Sequence, residues 1–247
     1  MKILLLTAAL MSTSVISSEL SVSDIQKELV NPMSDVGMLP IQYNYQGTDI
    51  GSLETINLQP VYSFEGTENY GVVGRTIVPL TSLDGDSYDL GNITQSILFT
   101  PKISNPSDGV VAGGIIAVAP TSDATDDWSA GVQGIYFRMM TPTVATALNF
   151  NYVAGGQEVM TIQPVLAKMF SQGSTISLQS ESVYDFDSEN WNVPVTLTVS
   201  QVLPIAGEIF NFQAAVTYNA SSDLTEYSLG GSGVDDFAYR LTVKWIW

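Results

Sequence analysis

The chain ends in DDFAYRLTVKWIW, residues 235–247, and this stretch decides the fold. Phe237, Tyr239, Leu241, Val243, Trp245 and Trp247 occupy alternate positions, with Arg240, Thr242 and Lys244 between them. Alternation with period two marks a strand whose two faces meet different surroundings. Here one face is wholly apolar and closes on aromatic residues. That face suits hydrocarbon, and the aromatic end suits the boundary between lipid and water.

The same alternation recurs upstream. Val193, Val195, Leu197 and Val199 share one face; Pro194, Thr196, Thr198 and Ser200 share the other. Phe210, Phe212, Ala214, Val216 and Tyr218 alternate with Asn211, Gln213, Ala215, Thr217 and Asn219. Reading each such run between turn residues predicts strands over 38–46, 54–64, 69–79, 91–103, 109–119, 127–139, 143–154, 157–170, 174–184, 190–203, 209–219 and 235–247. Ordinary strands average about 5–6 residues, whereas a strand crossing a bilayer needs roughly 9–11. No segment after the first approaches the roughly 18 apolar residues of a membrane helix. The fold class is therefore all-β: a transmembrane antiparallel up-and-down β-barrel of about 12 strands with a short N-terminal helix. A secreted sandwich or jelly roll is the competing architecture.

Across the 247 residues, 8 Lys and Arg face 25 Asp and Glu, a net charge of −17. That balance excludes nucleic acid as a partner, because phosphates are bound by clustered cations. The chain has no Cys and no His. Disulfides, thiolate zinc sites, thiol nucleophiles and Ser-His-Asp triads are excluded with them. Asp84, Asp86, Asp89, Asp123, Asp126, Asp127, Asp185, Asp187, Glu189, Asp223, Glu226, Asp235 and Asp236 fall on or beside one set of loops. Lys102, Arg138, Lys168 and Lys244 fall at the opposite strand ends. The charge-poor band between the two rims is what a lipid-facing wall requires.

At the start, Met1-Lys2, the apolar run from Ile3 to Met11 and the small polar stretch to Ser18 form a secretory signal peptide, cut after Ser17 or Ser18. The expected organisation is a signal peptide over 1–18, an N-terminal periplasmic segment over 19–37 and the barrel over 38–247. Residues 20–30 form a short amphipathic helix that Asn31-Pro32 ends. The expected location is the outer membrane of a Gram-negative bacterium, in contact with its lipid and lipopolysaccharide. Turns after even-numbered strands (65–68, 104–108, 140–142, 171–173 and 204–208) are then the short periplasmic ones.

Residues 235–247 resemble the C-terminal strand of Gram-negative outer-membrane barrels. That resemblance implies a role for the terminal aromatic in recognition by the outer-membrane assembly machinery, with Tyr239, Trp245 and Trp247 as the assembly and interface residues. Further blocks resemble one family of outer-membrane transporters, those grouped as the MetA-pathway phenol-degradation type. These are Leu39-Pro40-Ile41-Gln42-Tyr43-Asn44-Tyr45, Leu58-Gln59-Pro60-Val61, Gly74-Arg75-Thr76-Ile77-Val78-Pro79-Leu80, Ile162-Gln163-Pro164-Val165-Leu166 and Glu181-Ser182-Val183-Tyr184-Asp185 with Trp191. The resemblance implies passage of small molecules, hydrophobic or aromatic ones among them. The paired Gln-Pro-Val blocks suggest matching bends at Pro60 and Pro164, since proline in a strand marks an edge or a bulge.

Continuing the alternation puts Gln59, Arg75, Thr94, Asn149, Asn151, Gln163, Gln179, Glu181, Gln213 and Arg240 on the inner face. Two readings stay open for them: they line a pathway for a small-molecule solute and set its selectivity, or they form a polar network that plugs a narrow barrel. No catalytic residue, cofactor or metal ligand set is expected. The acidic loops lack EF-hand spacing, leaving open a solvated rim or Ca²⁺ and Mg²⁺ bridges to lipopolysaccharide phosphates. The function read from the sequence is a passive channel. A structural or adhesive barrel and a barrel-embedded enzyme are the alternatives, the last disfavoured by the missing His.

Overall fold

The computed structural model describes residues 21–34, 36–64, 66–102, 106–122 and 126–247. The expected signal peptide over 1–18 lies outside them. Fifteen strand segments form one antiparallel sheet. Three interruptions reduce them to twelve staves, and the sheet closes on itself. The staves are β1 (Met38–Thr48), β2 (Gly51–Leu58, continued as Val61–Phe64), β3 (Tyr70–Leu83) and β4 (Asp89–Leu90, continued as Ile93–Pro101). They continue with β5 (Val110–Ala119), β6 (Ser129–Thr141), β7 (Val144–Gly155) and β8 (Val159–Met169). The last four are β9 (Ser174–Ser180, continued as Ser182–Asp185), β10 (Asn190–Ile205), β11 (Glu208–Ser221) and β12 (Val234–Ile246). Each pairs with its sequence neighbours, and β12 pairs with β1 from Met38↔Ile246 to Gln46↔Ala238.

Closure leaves two faces with opposite chemistry. On β5 and β12 the outward residues Val111 and Leu241 are 68% and 60% exposed. Inward Thr196 on β10 and Thr242 on β12 are 3% and 4% exposed. A continuous apolar exterior of this kind is costly in water and favourable in hydrocarbon. Aromatic clusters mark both of its edges. At the short-turn end, Trp247 packs against Trp245 and Tyr62, with ring centroids 5.1 and 6.2 Å away. At the long-loop end, Tyr184 meets Phe186 and Trp191, both at 4.9 Å, and Tyr218 meets Phe237 at 5.6 Å. From Phe237 to Trp247 the chain climbs roughly 33 Å at ~3.3 Å per residue. At a tilt of ~40° that spans ~25 Å along the barrel axis, the height of an outer-membrane apolar band.

Pro60 and Pro164 mark matching interruptions of the hydrogen-bond ladder. Pro60 has no N–H to donate, so pairing skips Gln59–Pro60 while its register persists from Leu58↔Val78 to Val61↔Arg75. Beside Pro164, β9 breaks at Glu181, again with register kept from Ile162↔Ser182 to Val165↔Gln179. Bulges occur instead at two other prolines. Opposite Pro79 the register shifts by one across Gly91–Asn92, and beside Pro194 it shifts against β11.

The N-terminal segment enters the barrel. Helix α1 (Val22–Val30) is capped by Ser21, whose hydroxyl accepts from the Asp24 amide and donates to the Asp24 carboxylate at 2.6 Å. The Ser21 hydroxyl and the Lys27 ammonium hold the Asp24 carboxyl below its usual range. Asn31 ends the helix, as the Asn31-Pro32 pair predicts. Ile25 and Val36 are buried against Val202, Ile209 and Ile246, all at the short-turn end. Met33 joins a second cluster of inward side chains that includes Leu98, Ile135, Phe137 and Ala145. Each such burial stabilises by about 1.5–3 kcal/mol. The short-turn end is thus filled by the chain's own N-terminal segment.

Phe137, 2% exposed within that second cluster, is its largest side chain. Phe137→Ala should cost about 3–5 kcal/mol. The temperature at which detergent-folded protein changes its gel mobility should fall; an unchanged temperature would show that this end of the barrel is not packed as described.

Candidate functional site

Above α1 the barrel encloses a cavity of about 760 Å³. Its walls come from inward positions of many staves, including Gln42, Asn44, Asn57, Gln133, Gln163 and Gln179. Alternation alone delivers these side chains, since inward and outward positions must differ by one residue.

The sequence-predicted inner residues all lie on this inward face. Gln59, Arg75, Asn149, Gln163, Gln179, Glu181, Gln213 and Arg240 border the cavity. Asn151 and Thr94 share the inward face of β7 and β4 but stand apart from the cavity wall. Tyr239, Trp245 and Trp247 lie on the outer face. The Trp245 indole N–H donates to the Glu208 carboxylate at 3.0 Å. The Trp247 amide donates to the Gly37 carbonyl at 3.0 Å. A Cβ at Gly37 would lie 2.4 Å from the Trp247 indole, so glycine is what lets the last residue dock.

Several inward polar side chains bond one another. Arg240 Nε donates to Asn44 Oδ1 at 2.7 Å, and Gln42 Nε2 donates to the same oxygen at 3.1 Å. Arg75 Nη2 donates to Gln59 Oε1. Gln213 Nε2 donates to Asn211 Oδ1 at 2.7 Å, and Asn149 Nδ2 donates to Gln163 Oε1 at 3.3 Å. Asn149 Oδ1, Asn151 Oδ1 and Thr242 Oγ1 have no partner among the described residues, a condition that a water-lined interior tolerates. Arg75 and Glu181 are solvent-accessible inside the barrel. Glu181, Arg240 and Lys244 border the same cavity as Arg75. No ion pair within 4.0 Å joins any of these four; the ion pair found among the described residues is Lys27–Asp24, on α1.

Two features differ from the sequence expectation. Lys244, expected at the rim, faces the cavity two positions along β12 from inward Thr242. Its even-numbered place beside Arg240 and Thr242 was the signal that could have placed it. The second is Gln26, on the segment expected to precede the barrel. It is 3% exposed and donates to the Ser174 carbonyl and to Thr175 Oγ1, the latter at 2.9 Å. A buried amide needs such partners, and they fix the helix to β9. Arg138 and Lys168 do sit at the short-turn end, bonded to the Ser107 carbonyl and Thr143 Oγ1. No group of three or more acidic residues suited to a metal ion occurs among the described residues.

This architecture matches solved structures. The chain is similar to the COG4313 outer membrane channel from Pseudomonas putida F1, with a TM-score of 0.66 and 10% identity over 86% of this chain and 94% of that one. The fold is that of outer-membrane channels. A second similar structure is the KdgM porin in complex with disordered oligogalacturonate, with a TM-score of 0.51 and 11% identity over 83% of this chain and 98% of that one. No family model and no curated protein matches the chain.

If α1 is docked as described, Ile25→Asp should free it. Tryptic cleavage after Lys27 in folded protein should accelerate by at least about tenfold, because cleavage requires local unfolding. Cleavage at the unaltered rate, followed by mass spectrometry, would contradict the docking.

Proposed function

We propose that the protein is a passive outer-membrane channel for small solutes. The observation that carries this reading is the closed barrel with an apolar exterior between two aromatic belts and a polar cavity of about 760 Å³ within. An apolar outside and a wet inside are the requirements of a membrane pore. The fold shared with outer-membrane channels supports the location, and the absence of His and Cys supports passage over catalysis. The blocks that resemble the phenol-degradation transporters support a role in uptake of small organic molecules. Gln59, Arg75, Asn149, Asn151, Gln163, Gln179, Glu181, Gln213 and Arg240 are the proposed pathway lining. In this reading Tyr239, Trp245 and Trp247 serve insertion by the assembly machinery and contact with lipid and lipopolysaccharide. An export signal over 1–18 brings the chain there.

The helix at the short-turn end adds a second element: it narrows the pathway. Full-length protein reconstituted in planar bilayers should conduct in small steps, and Ile25→Asp or Met33→Asp should enlarge them. Silent bilayers from all three, with folding confirmed by heat-modifiable mobility, would contradict the channel.

A further inference from the structure

We propose that the lumen selects organic anions that join one carboxylate to an apolar body. The inference rests on the channel reading and names its substrate class.

The sign of the charge reverses between the whole chain and the lumen. The chain carries −17 overall, with 8 basic and 25 acidic residues. Among the described residues on the cavity wall the ratio inverts: Arg75, Arg240 and Lys244 are basic and Glu181 alone is acidic. Three cations less one carboxylate leave the wall at +2. The cations are also uncompensated at short range. Arg75 and Arg240 bond amide oxygens, those of Gln59 and Asn44, which satisfy donors without cancelling charge. Among the described residues Lys244 Nζ has no hydrogen-bond partner, and no carboxylate lies within 4.0 Å of any of the three. An arginine held by one bond keeps further donors in its planar fork, the geometry that fits a carboxylate.

The three cations occupy one side of the barrel. Arg240 and Lys244 stand on β12 and Arg75 on β3, with β1 and β2 between them. The other side differs. Ala147 on β7 and Val165 on β8 are partly exposed at the same cavity, interleaved with the amides of Gln133, Asn149 and Gln163. A solute there meets cationic groups on one flank and apolar side chains set among amides on the other. A small carboxylate with an aliphatic or aromatic body fits both; a metal cation is repelled by the first. The acidic rim opposes anion entry, but its charges stand in solvent, where salt confines them to about 8–10 Å. Lumen charges act between low-dielectric walls that concentrate their field.

Full-length protein in planar bilayers under a KCl gradient tests the charge half. The reversal potential should show chloride permeating at least about threefold better than potassium. Glu181→Gln should raise that preference, and Arg240→Gln with Lys244→Gln should lower it. Open channels that prefer potassium, or a preference unmoved by all three substitutions, would overturn the inference and leave the channel standing. Silent bilayers would overturn the channel and the inference together. Hexanoate, hexanamide and acetate test the apolar half. Hexanoate should reduce the chloride current at a lower concentration than either of the others; equal effects of hexanoate and acetate would overturn it.

Discussion

The structure depends on the pairing of β12 with β1. An open twelve-stranded sheet would expose a row of unpaired N–H and C=O groups along each edge, and in hydrocarbon each such group costs several kcal/mol. Pairing from Met38↔Ile246 onward removes both edges at once. The terminal residue completes the seam. Trp247 reaches past Ile246, bonds Gly37 through its backbone and packs its ring at a tilt against Trp245 and Tyr62. The last side chain of the sequence therefore belongs to the closure as well as to the lipid boundary.

Once the sheet closes, its pleat sorts every side chain to one of two solvents. The barrel can carry exposed Val111 and Leu241 outside and buried Thr196 and Thr242 inside because neighbouring positions never compete for one face. Charge follows the same logic. Among the described acidic residues Glu181 borders the cavity, while three of the eight basic residues are carried inside by strand parity. The apolar contacts that fill the short-turn end come from outside the barrel sequence. Ile25, Met33 and Val36 supply them, and buried Gln26 fixes the helix by hydrogen bonds. The same closure that makes the lumen thus provides the seat for the segment that narrows it.

Much of this was legible in the sequence because a two-faced strand writes its period directly. β10, expected over 190–203, spans Asn190–Ile205, and β12, expected over 235–247, spans Val234–Ile246. Arg75, Glu181 and Arg240 fell on the inner face by parity alone. Breaks and bulges were harder to read. Pro60 and Pro164 flag missing donors, but whether register shifts depends on the neighbouring strand, as at Gly91–Asn92 opposite Pro79. Helix α2 (Asp223–Ser228) lay within a stretch read as a polar loop; six residues, with only Leu224 and Tyr227 apolar, are too few to establish a period, and Ser222 steadies it by donating to Glu226 at 2.8 Å. The position of α1 was not readable, because an amphipathic helix shows that it has an apolar face and not which surface that face will meet.

Along each stave the chain presents alternate faces to the outside and to the lumen of the barrel. Because the protein has no cysteine, single cysteines can be placed along β10 without background. A polarity-sensitive fluorophore attached in turn at Val195, Thr196, Leu197, Thr198, Val199 and Ser200 of vesicle-embedded protein measures that alternation directly. Lipid-soluble quencher should act on labels at 195, 197 and 199, and aqueous quencher on those at 196, 198 and 200. Uniform aqueous quenching, or no alternation, would contradict the account.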